Sequence, residues 1–119
     1  MANLQVLVKD WLDTFVGDDY PVSTKKPKTP PESFILVRRT GGPREAIVLD
    51  RAEILIEVYH KTSNLTASDK ADAIADNIVG LEAFDHNITH ADVNSVVDLD
   101  DLIGQYNRYQ IYCDVYHRR

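Results

Sequence analysis

Residues 53–60 read Glu53-Ile54-Leu55-Ile56-Glu57-Val58-Tyr59-His60, and their alternation decides what kind of fold the chain can adopt. Successive side chains of a strand point to opposite faces, so Ile54, Ile56 and Val58 share one face while Glu53, Leu55, Glu57 and Tyr59 share the other. The first face is wholly apolar. The second mixes two carboxylates with Leu55 and Tyr59, which suits water or a surface shared with another subunit.

Strand character continues on both sides. Phe34 to Arg39 is a β-rich run stopped by Thr40-Gly41-Gly42-Pro43, whose glycines can supply the positive φ of a tight reversal. This predicts a strand, a turn and a return limb over Glu45 to Leu49, ahead of the strand at 53–60. Tyr106 to Tyr116 alternates, with Tyr109, Ile111, Cys113 and Val115 on one side and Tyr106, Arg108, Gln110, Tyr112, Asp114 and Tyr116 on the other. A long final strand follows from that pattern. Tyrosines on its polar side fit either a protein interface, where such residues are enriched, or cover by a helix of the same chain. Within 84–103, Val93, Val96 and Val97 suggest one more strand, leading into the acidic turn Asp98-Leu99-Asp100-Asp101.

Two stretches change period. Leu4, Leu7, Val8, Trp11, Leu12 and Phe15 recur at spacings of three and four, the stripe of a helix over about 3–17 with Asn3 as N-cap and Gly17 at its end. Ala67, Ala71, Ile74, Ala75, Ile78 and Val79 make a second stripe between Thr66 and Gly80, of mostly small residues that allow close approach to a sheet. Thr66 or Ser68 can cap this helix, Asp69 and Asp72 favour the positive end of its dipole, and Gly80 stops it. Between the first helix and Phe34, Pro21, Pro27, Pro30 and Pro31 exclude a helix or a central strand, so 20–33 reads as an extended arm or loop carrying Lys25, Lys26 and Lys28. Helix, arm, hairpin, strand, helix, strand, strand is the order of an α+β domain: a mostly antiparallel mixed sheet with two helices packed against it.

Length and composition agree with one domain spanning 1–119, since 44% hydrophobic and 27% charged residues are ordinary for a globular chain. Acidity is concentrated in the second half, with net −1 over residues 1–60 and net −5 over 61–119. That balance opposes tight binding to nucleic-acid phosphates, which needs many Lys and Arg at one surface. The Lys25, Lys26 and Lys28 run then reads as a solvated loop. No apolar run reaches the roughly 18–20 residues of a membrane helix and no leader pattern opens the chain, so a soluble, unexported protein is expected.

The chemistry of enzymes finds little to stand on. Cys113 is the single cysteine, which excludes an internal disulfide framework and a cysteine zinc cage, and its core-facing register reads as a small buried hydrophobe. His86 and His90 are four apart, but the intervening Asn87, Ile88 and Thr89 are poor helix formers and no Glu follows the first His, so a metal pair is not expected. His60 and His117 close two strands and read as solvent-edge residues. There is no Gly-x-Ser-x-Gly and no phosphate loop, and the Asp98 turn lacks the Gly and closing Glu of a calcium loop. No catalytic residue, metal or cofactor is expected.

The order of segments carries more than any one of them. The amphipathic opening helix, the Pro-rich arm leading to Phe34-Ile35-Leu36-Val37-Arg38-Arg39-Thr40-Gly41-Gly42, the run Asp50 to Tyr59, the small-residue helix from Thr66-Ala67-Ser68, and Asp98 to Arg119 with Asn107-Arg108-Tyr109-Gln110-Ile111-Tyr112 are similar, over nearly the whole chain, to the tail terminator (tail completion) proteins of long-tailed bacteriophages. The acidic Asp98-Leu99-Asp100-Asp101-Leu102-Ile103 turn departs from the proline-containing link of that family. The resemblance implies a non-catalytic α+β subunit, commonly in six copies, that caps the head-proximal end of the tail tube in the virion and meets the tail tube protein on one side and the head-to-tail connector on the other. DNA would pass through the ring without specific binding, and no membrane is involved. On exposure patterns, Glu53, Leu55, Glu57 and Tyr59 with Arg108, Tyr112 and Tyr116 are candidate subunit contacts. Lys25, Lys26 and Lys28 with Thr40, Gly41, Gly42 and Arg44 are candidate axial loops, and Asp98, Asp100 and Asp101 are candidate acidic lumen residues. Another neck protein, head-closure or adaptor, and a small ligand-binding α+β module remain the alternatives.

Overall fold

The helical stripe of the opening segment forms α1 (Leu4–Val16) in the computed structural model, which describes residues 4–16, 20–26, 28, 31–41, 49–99 and 106–118. Leu4, Leu7, Val8, Trp11, Leu12 and Val16 are buried, and Phe15 stacks on Trp11 with ring centroids 5.6 Å apart. Lys9 and Asp13 pair at 2.7 Å on the outer face, the i,i+4 contact that an exposed helix surface permits. The expected caps Asn3 and Gly17 lie outside the described residues.

The chain continues through β1 (Val22–Ser23), β2 (Ser33–Gly41), β3 (Leu49–His60), α2 (Asn64–Asp76), α3 (Gly80–Phe84), β4 (Ile88–Asp98) and β5 (Asn107–Arg118). The five strands lie in the order β1-β2-β3-β5-β4, with β1–β2 parallel and every other pair antiparallel. This is an α+β fold. Residues directly opposed in a ladder share a face, so the pairings Val37↔Ile56, Ile56↔Ile111 and Ile54↔Cys113 assemble one apolar face from three strands. Helix α1 and the small-residue stripe of α2, Ala67, Ala71 and Ile74, pack on it as a single core. Ala67 and Ala71 are what let the α2 backbone approach the sheet.

Several local expectations are corrected. The return limb expected at Glu45 to Leu49 and the strand at 53–60 are not separate: β3 runs unbroken from Leu49, and residues 45–48 lie outside the described ones. The hairpin partner of β2 is therefore 53–60 itself, from Gly41↔Glu53 to Ser33↔His60. The cause is β5, which pairs with β3 from Leu49↔Arg118 to His60↔Asn107 and holds the polar Asp50-Arg51 step in the ladder. The Pro-rich arm is not wholly free of the sheet either, since Val22 and Ser23 pair with Ile35 and Leu36, and Tyr20 and Val22 are buried. Pro21 is tolerated because it stands just before the first residue of this edge strand, where it needs no donor and its carbonyl still accepts from the Ile35 N–H at 2.9 Å.

Helix α2 begins two residues before Thr66, capped by Ser63, whose hydroxyl accepts from the Thr66 N–H at 3.1 Å. Asp69 and Asp72 thus sit beyond its first turn. It ends at Asp76 with Asn77 as C-cap, and Gly80 opens α3 instead of closing α2. A Cβ at Gly80 would lie 3.4 Å from Trp11 Nε1, an ordinary contact distance, so α3 runs beside α1 here without the space demanding a glycine. Val79 turns outward at 60% exposure and leaves the stripe, whereas Ile78 stays buried. His117 is not at a solvent edge: it is buried opposite Ile88, and its Nε2 has no hydrogen-bond partner.

Ile74→Asp and Ile78→Asp are expected to abolish the cooperative melt, and Ile74→Ala to cost about 2–5 kcal/mol in chemical denaturation. Val79→Ser should change stability by less than about 0.5 kcal/mol. Equal damage from Val79→Ser and Ile74→Ala would contradict the helix assignment.

Candidate functional site

All described helical core residues pack on one face of the sheet, which leaves the opposite face as the surface with chemistry to examine. Register places Phe34, Leu36 and Arg38 of β2, Leu55, Glu57 and Tyr59 of β3, and Arg108, Gln110 and Tyr112 of β5 there, side by side. Glu57 is at its centre and only 4% exposed. Arg38 Nε donates to its Oε1 at 3.1 Å, while Oε2 accepts from Gln110 Nε2 at 3.1 Å, Tyr59 OH at 3.2 Å and Arg108 Nη1 at 3.5 Å. A carboxylate this deep is tolerated only when paired and hydrogen-bonded, and these four donors from three strands meet that requirement. Tyr112 OH donates to Gln110 Oε1 at 3.0 Å, which turns the amide nitrogen of Gln110 toward Glu57.

Beside this carboxylate lies a second cluster of Phe34, Leu36, Tyr59 and Tyr106. Phe34 stacks on Tyr59 at 4.4 Å, and Tyr106 meets both rings edge-on at 5.4 and 5.9 Å. Tyr106 OH donates to the Pro31 carbonyl at 2.7 Å, which ties the arm down over this face. Lys26 Nζ and the Arg108 guanidinium each stand 5.9 Å from the Tyr59 ring centre, within cation–π range. Burial holds the Tyr59 phenol above its ordinary value, with Arg108 opposing that rise and Glu57 adding to it.

The seven candidate subunit contacts therefore separate. Leu55, Glu57 and Tyr59 are 7%, 4% and 3% exposed and are covered by residues of their own chain; Glu53, Arg108 and Tyr116 are half-buried, and Tyr112 is exposed. The missing signal was the long-range one: nothing local in 53–60 tells that Arg38, Arg108, Tyr106 and the arm close over it. Lys25, Lys26, Lys28 and Thr40 are exposed, with the Thr40 hydroxyl donating to the Glu53 carbonyl at 3.3 Å, and Gly41 ends β2. Asp98 is exposed at the end of β4, while Gly42, Arg44, Asp100 and Asp101 lie outside the described residues.

Two features escaped the sequence reading. The first is the outer edge of β4, where Val96, Val97 and Leu99 are 38%, 37% and 43% exposed. The second is a row of carboxylates on the Glu57 face, Glu53, Asp114 and Asp92, set side by side on β3, β5 and β4. Cross-strand like charges repel. Asp114 Oδ2 is offset by Asn94 Nδ2 at 2.9 Å and Arg51 at 3.9 Å, and Asp92 by His90 Nε2 at 2.6 Å.

The other titratable groups have structural surroundings. His86 and His90 do not share a helix: His90 is on β4, with Glu82 3.8 Å from its Nδ1, and His86 sits in the preceding turn. His60 is half-buried and accepts the Thr62 and Ser63 N–H groups at Nδ1, which closes the end of β3. Among the described residues no group of three His, Cys, Asp or Glu is arranged to hold a metal ion. Burial, with Asp114 adding to it, pushes the Cys113 thiol up to about 12, which makes it a poor nucleophile. A cavity of about 340 Å³ opens between strands, where polar Thr40, Glu53, Asn94 and Ser95 meet Tyr112 and Cys113. No helix among the described residues is long and apolar enough to cross a membrane. No family model matches the chain, and no curated protein matches it.

Glu57→Ala should cost roughly 2–4 kcal/mol, because it leaves Arg108 without its buried partner; the half-exposed Arg38 loses less. Glu57→Gln should cost less, since an amide oxygen still accepts two of the bonds. Cys113 sets an alkaline limit. Below pH 9 the thiol is protonated folded or unfolded and its contribution is complete; between 9 and about 12 the unfolded chain ionises first, so stability falls as pH rises, by roughly 4 kcal/mol in all. Denaturation midpoints measured across that range should decline less steeply in Cys113→Val.

Proposed function

We propose that the chain is a structural virion subunit that works by contact, closing as a ring on the head-proximal end of a phage tail tube, ending tube growth there and offering a docking surface to the head-to-tail connector. The similarity in segment order supports this reading, and one observation carries it: a sheet with its helices on one face and an eleven-residue strand, β4, at its edge, exposing Val96, Val97 and Leu99. A subunit that joins its neighbours needs such an unfinished element. A closed ring also requires a head-to-tail contact, in which one surface meets a different one, and the two edges of this sheet are unlike, β4 on one side and the two-residue β1 on the other.

Tyr112 beside this edge and the half-buried Glu53, Arg108 and Tyr116 would border the contact. Exposed Lys25, Lys26, Lys28 and Thr40 would face the tube or the connector along the axis. The acidity has a role in the same frame: six copies would carry six times the −6 of one chain, and carboxylates lining the passage would repel DNA. Asp98 and the Glu53, Asp114 and Asp92 row are the described residues that could supply that field.

The cavity at Thr40 and Tyr112 favours one rival, a small ligand-binding module. Its volume of about 340 Å³ is at the low end for ligand pockets, and its half-polar lining is not the apolar one such modules use.

Electron microscopy of phage particles made without this protein decides the matter. Tails that overgrow their normal length and fail to join heads are expected; tails of normal length on infectious particles would end the proposal.

A further inference from the structure

We infer that successive copies join by extending the sheet, the outer edge of β4 in one copy pairing antiparallel with the outer edge of β2 in the next, with Asp98 of the first set beside Arg39 of the second. The inference rests on the ring reading, since a head-to-tail contact is what brings two unlike edges together.

The ladders fix which backbone groups face outward. The Leu99 N–H donates to the Arg108 carbonyl at 2.9 Å, so Leu99 and Val97 turn their backbone groups toward β5, and Val96 and Asp98 turn theirs away from the sheet. At the other side the Ile35 N–H donates outward to the Pro21 carbonyl at 2.9 Å, so Val37 and Arg39 face outward as well. β1 occupies that edge only beside Ile35 and Leu36, and Gln5 Nε2 takes the Val37 carbonyl at 2.6 Å. The described edge from Arg39 to Gly41 carries no strand. Folded proteins usually blunt a free edge with a short strand, a proline or lysines. β4 is eleven residues long with no Pro and no Lys, and its two register shifts, at Ile88/His90 and Val93/Ser95, come before Val96, so Val96 to Asp98 continues in regular register with Val96 and Val97 exposed on opposite faces.

Charge selects the occupant. β4 carries no Lys or Arg, so a two-fold pairing of β4 with β4 would offer the exposed Asp92 and Asp98 no such cation across the new ladder. The β2 edge instead presents exposed Arg38 and Arg39. Arg38 is already paired with Glu57, but among the described residues neither Arg39 nor Asp98 has an ion-pair partner. Arg39 is in register with Ile54 and Asp98 with Tyr109, so both side chains emerge on the helix-bearing face. β2 and β4 run in opposite directions within the sheet, so continuing it into a copy of the same orientation gives an antiparallel pair. Engagement over Arg39 to Gly41 also clears β1.

Two sets of variants test this, read by sedimentation of the full chain alone and by ring formation on isolated tail tubes. Val96→Pro removes an outward N–H and leaves the β5 ladder whole; it should keep the parent melt and weaken assembly by up to about tenfold. Asp98→Arg and Arg39→Asp should each weaken assembly about fivefold at low salt, less at high salt, and the double variant should recover it. Rings that form normally from Val96→Pro, or a double variant no better than either single one, would overturn edge pairing while leaving the ring itself standing. A parent chain that forms no ring in solution or on tubes would overturn both.

Discussion

The structure depends on the twelve-residue pairing of β3 with β5. β2 joins the far side of β3, β4 the far side of β5, and α2 lies across both on one face, while β1 and α1 attach through β2 and α3 through β4. Its two faces pose opposite problems. On one, Ile54, Ile56, Val58, Ile111, Cys113 and Val115 form a surface that water cannot satisfy, and the helices cover it. On the other, the same strands bring Glu57 to a depth where a lone carboxylate would be intolerable, and four donors gather around it. One face specifies that helices must pack; the other specifies which strands sit beside which, because Arg38, Arg108 and Gln110 reach Glu57 only in this register.

This explains what could be read from the sequence. Periodicity is a local property, so α1, the alternation of 53–60 and 106–116, the α+β class and a strand around Val93 were legible. Boundaries were less so. Ser63 wins the α2 cap over Thr66 because its hydroxyl reaches the Thr66 N–H, and Gly80 opens α3, which packs beside Trp11; both depend on geometry that spacing does not contain. The largest misreading concerned Leu55, Glu57 and Tyr59. An alternating strand with a mixed face has the same pattern whether water, a neighbouring subunit or the chain's own arm covers it, and the covering residues Arg38, Arg108 and Tyr106 are up to some fifty positions away in sequence. The β4 edge was hidden for a related reason: strand order is a long-range outcome, and Val96 and Val97 count as edge residues only once β5 takes the place between β3 and β4.

Electrostatics separates parts of the molecule that must hold from parts free to meet others. Glu57 and Arg108 are shielded and tie strands together, so salt should affect them little. The Glu53, Asp114 and Asp92 row is less well compensated, with Arg51 no closer than 3.9 Å to Asp114, and one Asp114 oxygen has no hydrogen-bond partner. A fold under selection for stability alone would gain by neutralising one of the three.

The asymmetry of the two edges bears on how a proposed cap could stop growth instead of continuing it. Identical edges would favour two-fold pairs, and two long complementary edges would favour open fibres as readily as rings. Here one edge is long and the other is mostly occupied by β1 and by Gln5 on the Val37 carbonyl, leaving Arg39 to Gly41 among the described residues. Each junction would then gain few backbone hydrogen bonds, at about 0.5–1.5 kcal/mol apiece, too little to hold two free subunits together at ordinary concentration. Such junctions become favourable when a template holds the copies adjacent and the last contact closes a circle, since each then acts at high effective concentration. A weak, polar-ended edge contact is therefore what a subunit needs if it is to stay dispersed until a tube end presents itself.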